Sequence, residues 1–451
     1  MFKKILIANR GEIAIRIIRA AKSMGIDTVA IYSTADKDAL HVQLATQAVC
    51  VGGPLPKESY LNIENILSAA ILTDAEAIHP GYGYLAENTK FVRLAEQNNL
   101  TFIGPDPEII DMMSNKSKGR DIMKRHGVPV VPGTGIIEDV KDGLARVIKM
   151  GGFPVLIKAS AGGGGKGIRA VYHKDSFATE FDTVTKEAQS AFGDGSVYLE
   201  RLITNPKHIE FQFIADKHGN YVHLYERDCS IQYNHKKIIE EAPCRTLKDE
   251  VRQKMAHNVI NAAKAMDYVN AGTFEFIMDK EQNYYFIEMN TRIQVEHPIT
   301  EMITGIDIIK EQIRVSAGHP LSIKQENVKP EGYSIECRIN AEDPKANFTP
   351  STGKIENFVV PGGFGVRVDT ELHNGFVVSP FYDPLVGKLI VHGKSRLECI
   401  RKMRAALEEL TIKGINTNIG LHYSIFHHPK YVEGNFDTGF LTEVRGQPEG
   451  R

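Results

Sequence analysis

Short runs of β-branched and apolar residues alternate with longer stretches of helical period over the first hundred positions. KKILIAN is followed by EIAIRIIRAAKSM, then TVAIY, and later by AEAIHP and LTFIGP. This alternation predicts βαβ units on a parallel sheet. The first turn, NRGE, carries a single glycine, Gly11, so the G-x-G-x-x-G fingerprint of a dinucleotide site is missing. From about residue 115 the pattern changes to a helix over SKGRDIMKRHG, a Pro-rich connection, VPVVPGTG, and then strands with helices between them. HPLSIKQENVKPEGY has no clear period and reads as a boundary. A third unit opens with YSIECRIN, continues through Gly/Pro turns that predict antiparallel strands, and closes with the helix SRLECIRKMRAALEEL.

Composition narrows the class. The 451 residues suffice for two to four domains with ample core. Five scattered cysteines argue against a disulfide framework and a zinc site, and point to a reducing, cytoplasmic setting. The apolar part of MFKKILIANRGE is too short for a signal peptide, and no run approaches a membrane span. With 54 basic and 56 acidic residues, no global field recruits nucleic acid or a membrane surface.

Two patterns carry chemistry. FPVLIKASAGGGGKGIRAVY is not a Walker A loop, because Lys166 is followed by Gly167 and a strand. It reads as a hairpin lid whose tip can close over phosphates, with Lys158 in one strand and Lys166 at the tip. GTFEFIMD and YYFIEMN flank the polar turn DKEQN, and folding about Glu281 and Gln282 sets Glu275 opposite Glu288 on one face. Such a pair repels unless a cation neutralises it, and Mg²⁺ takes one or two carboxylates plus substrate phosphates. If the strand continues through FIEMNTRIQVEHP, then Glu288, Asn290, Arg292, Gln294 and Glu296 line one wall, with Ile287, Met289, Ile293 and Val295 packed behind. By pattern alone Arg338, which alternates with Glu336, could equally pair with a neighbouring acid.

IANRGEIAIRIIRA, HPGYGYLAEN, KASAGGGGKGIR, ERDCSIQYNHKKIIEEAP, EMNTRIQVEHPITE and YSIECRINAED occur in that order, and the chain resembles the biotin carboxylases over essentially its whole length. The resemblance implies a mixed α/β and α+β fold. It has an N-terminal doubly wound parallel sheet domain (1–112), a central ATP-grasp domain with a mobile glycine-rich lid (113–325, lid about 131–203) and a mainly antiparallel C-terminal domain (326–446). It implies ATP-dependent conversion of bicarbonate to carboxyphosphate, which carboxylates biotin on a carrier protein. ATP with two Mg²⁺ or Mn²⁺ ions is expected.

Matched residue by residue, the resemblance assigns Lys116, Lys158, Gly163, Gly164 and Gly165 to the nucleotide phosphates. It assigns Glu200, Arg201, Leu202, His208, Gln232 and His235 to the nucleotide pocket. The two histidines are read as pocket wall, without a proton-transfer role. Arg201 takes a place where lysine also fits the pattern, which leaves nucleotide affinity open. Glu275, Glu288 and Asn290 match the metal site. Lys237, Arg292, Gln294, Val295 and Glu296 match the bicarbonate site, with Glu296 as base. Tyr82, Gly83 and Arg338 flank biotin, and Arg338 matches the residue that stabilises its enolate. Expected partners are a biotin carboxyl carrier protein, carboxyltransferase subunits and a second copy of the chain, with no nucleic acid or membrane. No biotin-attachment segment is visible, so a separate subunit or a piece of a larger carboxylase is expected, and the final acceptor stays open. A different ATP-grasp ligase fits RIQVEHP and the third unit less well. A silent ATP-binding subunit fits the intact Glu275, Glu288, Lys237 and Glu296 less well.

Overall fold

The computed structural model describes residues 1–160 and 167–445, without the side chains of Lys116, Ser117 and Arg445. A five-stranded parallel sheet forms the N-terminal layer, in the order Gln47–Gly52, Asp27–Ser33, Lys4–Ile7, Ala77–His79, Thr101–Phe102. The central strands carry apolar runs, Ile5–Ile7 and Val29–Ile31, because both of their faces are covered, whereas the edge strand Gln47–Gly52 is mostly exposed. Ile5, Ile7 and Ala30 pack into one core with the helix Gly11–Ser23, while Leu6, Val29 and Ile31 pack into another with the helices Ile63–Leu72 and Thr89–Gln97. Asn62 and Asn88 start the latter two helices by accepting the N–H groups of Asn65 and Phe91.

Next along the chain, Gly133–Ile137, Val197–Arg201, Val155–Ala159 and Ile168–Val171 form a four-stranded antiparallel sheet with its own core. Its inward residues Val155, Ile157, Val197 and Leu199 pack on the helix Lys174–Phe192 through Phe177 and Val184. Strands Val155–Ala159 and Ile168–Val171 pair as the hairpin the glycine run predicts.

The site is built on an eight-stranded sheet, in the order Tyr284–Asn290, Asn270–Met278, Lys207–Ala215, Tyr221–Tyr233, Lys236–Ala242, Tyr333–Asn340, Leu385–Gly393, Val366–Thr370. All its pairings are antiparallel. Strands on both sides of residues 320–330 therefore join in one sheet, through the ladder from Ile239↔Cys337 to Ala242↔Ser334. Helix Arg396–Glu409, capped by Ser395, covers the C-terminal strands through Cys399, Ile400 and Met403.

One expectation fails. The strand ends at Asn290, and residues 291–296 form a loop leading into the helix His297–Thr304, with Glu296 at its N-cap and Pro298 in its first turn. The chain leaves the sheet because Ile293, fully buried, is drawn into the N-terminal core with Ile13, Ile17 and Ile309. Nor does Ile287 pack behind. The register shifts beside it, so Phe286 and Met289 take the core positions and Ile287 is half-buried.

Candidate active site

Four register positions on adjacent strands form a charged row across the large sheet. Glu288 lies opposite Glu275, Glu275 opposite Glu210, and Glu210 opposite Arg227. Three neighbouring carboxylates in such a row demand cations. Arg227, fully buried, donates Nε to Glu210 Oε1 at 2.5 Å, and its Nη2 donates to Gln294 Oε1 at 2.5 Å. Lys237 reaches in from the hairpin Tyr221–Tyr233/Lys236–Ala242. Its Nζ donates to Glu210 Oε2 at 2.5 Å, Glu296 Oε1 at 2.7 Å and Glu275 Oε1 at 3.0 Å. Burial alone lowers a lysine pKa, but the charges of Glu210, Glu275 and Glu296 prevail and hold Lys237 well above its ordinary value.

Glu296 receives a second cation. Arg338 donates Nη2 to Glu296 Oε2 at 2.9 Å and Nε to Glu240 Oε1 at 2.6 Å. Burial pushes the Glu296 carboxyl up, yet Lys237, Arg338 and Arg227 together hold it well below the carboxylate range. The loop that replaces the expected strand thus sets Glu296 at a helix N-terminus, between two cations. Arg292 on the same loop donates Nε to Glu87 Oε2 at 2.9 Å and Nη2 to Asn290 Oδ1 at 2.8 Å. Gln294 donates to Glu275 Oε1 at 2.6 Å, and the Val295 carbonyl accepts Lys388 Nζ at 2.9 Å.

The oxygens of Glu275, Glu288 and Asn290 are the donor set a hard divalent cation takes. Glu275 fits this use, because Lys237 and His208 overcome burial and hold it ionised. Asn290 Nδ2 donates to Glu275 Oε1 at 2.7 Å, which keeps its amide beside the pair. His208 Nε2 lies 2.8 Å from Glu275 Oε2, and Gln232 donates to His208 Nδ1 at 2.9 Å. Lys158 belongs to another cluster, on the four-stranded sheet, where it donates to Glu200 Oε2 at 2.8 Å with Arg120 3.7 Å from the same carboxylate. Arg201 is exposed at the end of that sheet, Leu202 is half-buried beside it, and His235 is exposed at a hairpin tip. Tyr82 hydrogen-bonds Glu12, and Gly83 turns with a positive φ of 69°. Gly163, Gly164, Gly165, Lys166 and the Lys116 side chain lie outside the described residues.

Sequence reading missed Glu210, Glu240, Glu87 and Arg227. For Glu210 a signal existed: in HIEFQF, polar 208, 210 and 212 alternate with apolar 209, 211 and 213, the pattern that identified Glu275 and Glu288. Glu87 is tied to Arg292 across 205 positions, and no periodicity reports such a contact.

Comparisons with known proteins identify the relatives of the chain. The family described as biotin carboxylase, N-terminal domain, matches residues 1–110, and the biotin carboxylase C-terminal domain family matches residues 336–443. Between them, the carbamoyl-phosphate synthase L chain, ATP binding domain family matches residues 115–324. Biotin carboxylase 1 of Bacillus subtilis is 52% identical over 443 residues, covering 98% of both chains. The 2-oxoglutarate carboxylase small subunit of Hydrogenobacter thermophilus is 51% identical, covering 98% of this chain and 94% of the relative. The crystal structure of the biotin carboxylase domain dimer of the Hydrogenobacter enzyme, in complex with MgADP, ADP and bicarbonate, superposes with a TM-score of 0.93. It is 50% identical and covers 99% of this chain and 98% of that one.

Proposed function

The chain belongs to the biotin carboxylase family, and we propose that its Lys237–Glu296–Arg338 triad, centred on the buried Glu296, divides the ATP- and bicarbonate-dependent carboxylation of biotin into two steps. The observation that carries this reading is the single carboxylate of Glu296 held between two cations from different parts of the large sheet, Lys237 at 2.7 Å and Arg338 at 2.9 Å.

Bicarbonate is a weak nucleophile, and Arg292, Lys237 and Gln294 supply donors that hold it beside Glu296. Held ionised, Glu296 is ready to receive a proton. As the incoming anion draws the donor of Lys237 to itself, the carboxylate loses part of its compensation and its proton affinity rises. Glu296 then takes the bicarbonate proton as the oxygen attacks the γ-phosphorus and ADP leaves, which gives carboxyphosphate. Glu275, Glu288 and Asn290 would hold magnesium, which would supply positive charge to the phosphate oxygens. Lys158, Lys116 and the backbone of Gly163, Gly164 and Gly165 are assigned to the remaining phosphate charge. Glu200, Arg201, Leu202, His208, Gln232 and His235 are assigned to the rest of the nucleotide. Carboxyphosphate breaks into CO₂ and phosphate, the phosphate removes the ureido proton of biotin, and the nitrogen bonds to CO₂. Arg338 steadies the oxygen that becomes negative, with Tyr82 and Gly83 beside the ring.

Biotin arrives on a carboxyl carrier protein, and carboxyltransferase subunits pass the carboxyl group on. A homodimer is supported by the dimeric Hydrogenobacter structure. The names of the relatives leave the acceptor to those partners, since one is a 2-oxoglutarate carboxylase subunit. The experiment is phosphate release from ATP with and without bicarbonate and free biotin. Cleavage that requires bicarbonate and is stimulated by biotin is expected. Cleavage indifferent to both overturns the reading.

A further inference from the structure

Behind Arg338 lies a pair of carboxyl groups that the two steps above do not use. Glu240 and Glu336 stand directly opposite one another on the paired strands Lys236–Ala242 and Tyr333–Asn340, and neither is exposed at all. One oxygen, Glu240 Oε1, accepts Arg338 Nε at 2.6 Å. The other three, Glu240 Oε2 and both oxygens of Glu336, are buried without a hydrogen-bond partner among the described residues. Two ionised carboxylates with three such oxygens are an arrangement that folding does not tolerate. A single proton relieves it, because one neutral carboxylic acid removes the repulsion between the two groups and leaves the remaining charge to Arg338.

We propose that Glu240 and Glu336 are a positioning pair for Arg338, in which Glu336 carries the proton and Glu240 stays ionised against the guanidinium. Arg338 must give up Glu296 to hold the charge on biotin, and Glu240, on its Nε, is the contact that stays. The pair therefore fixes where the guanidinium points once Glu296 has released it.

The surroundings agree with this division of charge. Burial is the main cause that raises both carboxyls. Glu336 is pushed well above the carboxylate range despite Lys388, while Glu240, beside Arg338, is pushed up to about 7. Glu296 raises both further. Lys237 lowers Glu240, and the Tyr82 phenol lies within electrostatic reach of Glu336. The helix His297–Thr304, packed on this face through Ile299 and Ile303, brings His297, which burial and Lys388 keep neutral, and Glu301, which is neutralised by Arg16 and Arg367. As pH falls through the titration of the pair, Glu240 takes a proton, and Arg338 loses its fixed anchor. As pH rises, the anchor returns.

This inference rests on the role given to Arg338, and the test separates the two. Labelled bicarbonate fixed in biotin per phosphate released is measured between about pH 6 and pH 8.5 for the parent, Arg338→Ala, Glu240→Gln and Glu336→Gln. The parent ratio is expected to fall on the acid side. Glu240→Gln should lower it about tenfold or more and leave it flat with pH, and Glu240→Asp should restore the slope. Glu336→Gln, neutral like the protonated acid it replaces, should keep both the parent ratio and the pH of its fall, and a fall moved to lower pH would overturn the assignment of the proton to Glu336. If Arg338→Ala leaves the ratio unchanged, the role of Arg338 is wrong. If Arg338→Ala lowers it but Glu240→Gln does not, the positioning pair is wrong. A pH-independent parent ratio overturns the pair without recourse to any variant.

Discussion

Lys237 joins three carboxylates that would otherwise face one another in a largely buried site. Removing one partner of a buried charge group costs about 3–5 kcal/mol, because the charges left behind lose compensation. Lys237→Ala is therefore expected to lower the melting temperature as well as kcat. A loss of turnover with unchanged thermal stability would mean that the three glutamates are neutralised by something else. Glu288→Gln keeps the shape of the strand and removes one charge from the proposed magnesium site. Loss of a transition-state charge clamp costs about 2.7–4 kcal/mol, so ATP cleavage should fall a hundredfold or more with and without biotin. Near-normal turnover at saturating Mg²⁺ would remove Glu288 from the metal site. Lys237, Arg292 and Glu296 could be picked out because they stand in motifs. Glu240 and Glu336 could not, since what singles them out is three buried oxygens without a hydrogen-bond partner among the described residues, a property of packing that no sequence spacing reports.

At the scale of elements, the opposition of Glu275 and Glu288 depends on a bulge. The pairing Met278↔Tyr284 centres the hairpin on Glu281, and that register alone would set Glu275 opposite Ile287. The shift between Glu275 and Phe276 inserts Ile287 as an extra residue and returns Glu288 to its partner. The pair was legible in the sequence, while the bulge that delivers it was not, because alternation alone does not reveal an unpaired residue. The segment 291–296 misleads for a related reason. Its apolar and polar residues alternate as on a strand, yet the loop has two destinations, with Ile293 in the N-terminal core and Glu296 at a helix N-cap. Ile293→Ala should cost about 2–5 kcal/mol of stability, the range for emptying a buried isoleucine site. Because Ile293 fixes the loop that carries Arg292 and Glu296, kcat should fall with it. A stability loss with full activity in the remaining folded protein would show that the loop is held elsewhere.

At the scale of the molecule, the large sheet carries the argument. Parallel and antiparallel layers could be read from periodicity, but not the pairing of strands Lys236–Ala242 and Tyr333–Asn340 across the proposed boundary at residue 325. That ladder brings Arg338 to Glu296, so the base and the biotin-facing cation meet on one continuous sheet. A fragment of residues 1–325 would leave strand Lys236–Ala242 with an open edge, and unpaired edges associate. It should melt at a lower temperature than the whole chain and scatter light on concentration. A monomeric fragment of undiminished stability would make the central unit independent of the sheet it shares.

The central claim is that one pocket runs two steps with different groups, Glu296, Arg292 and Lys237 making carboxyphosphate and Arg338 acting only on biotin. The measurement is labelled bicarbonate fixed in biotin per phosphate released, compared between Arg338→Ala and the parent. The account predicts that the variant still cleaves ATP slowly with bicarbonate alone, while carboxybiotin forms about a hundredfold more slowly or worse, so the ratio collapses. An unchanged ratio, with both rates reduced alike, would contradict it and make Arg338 a support of the fold or of the ATP site.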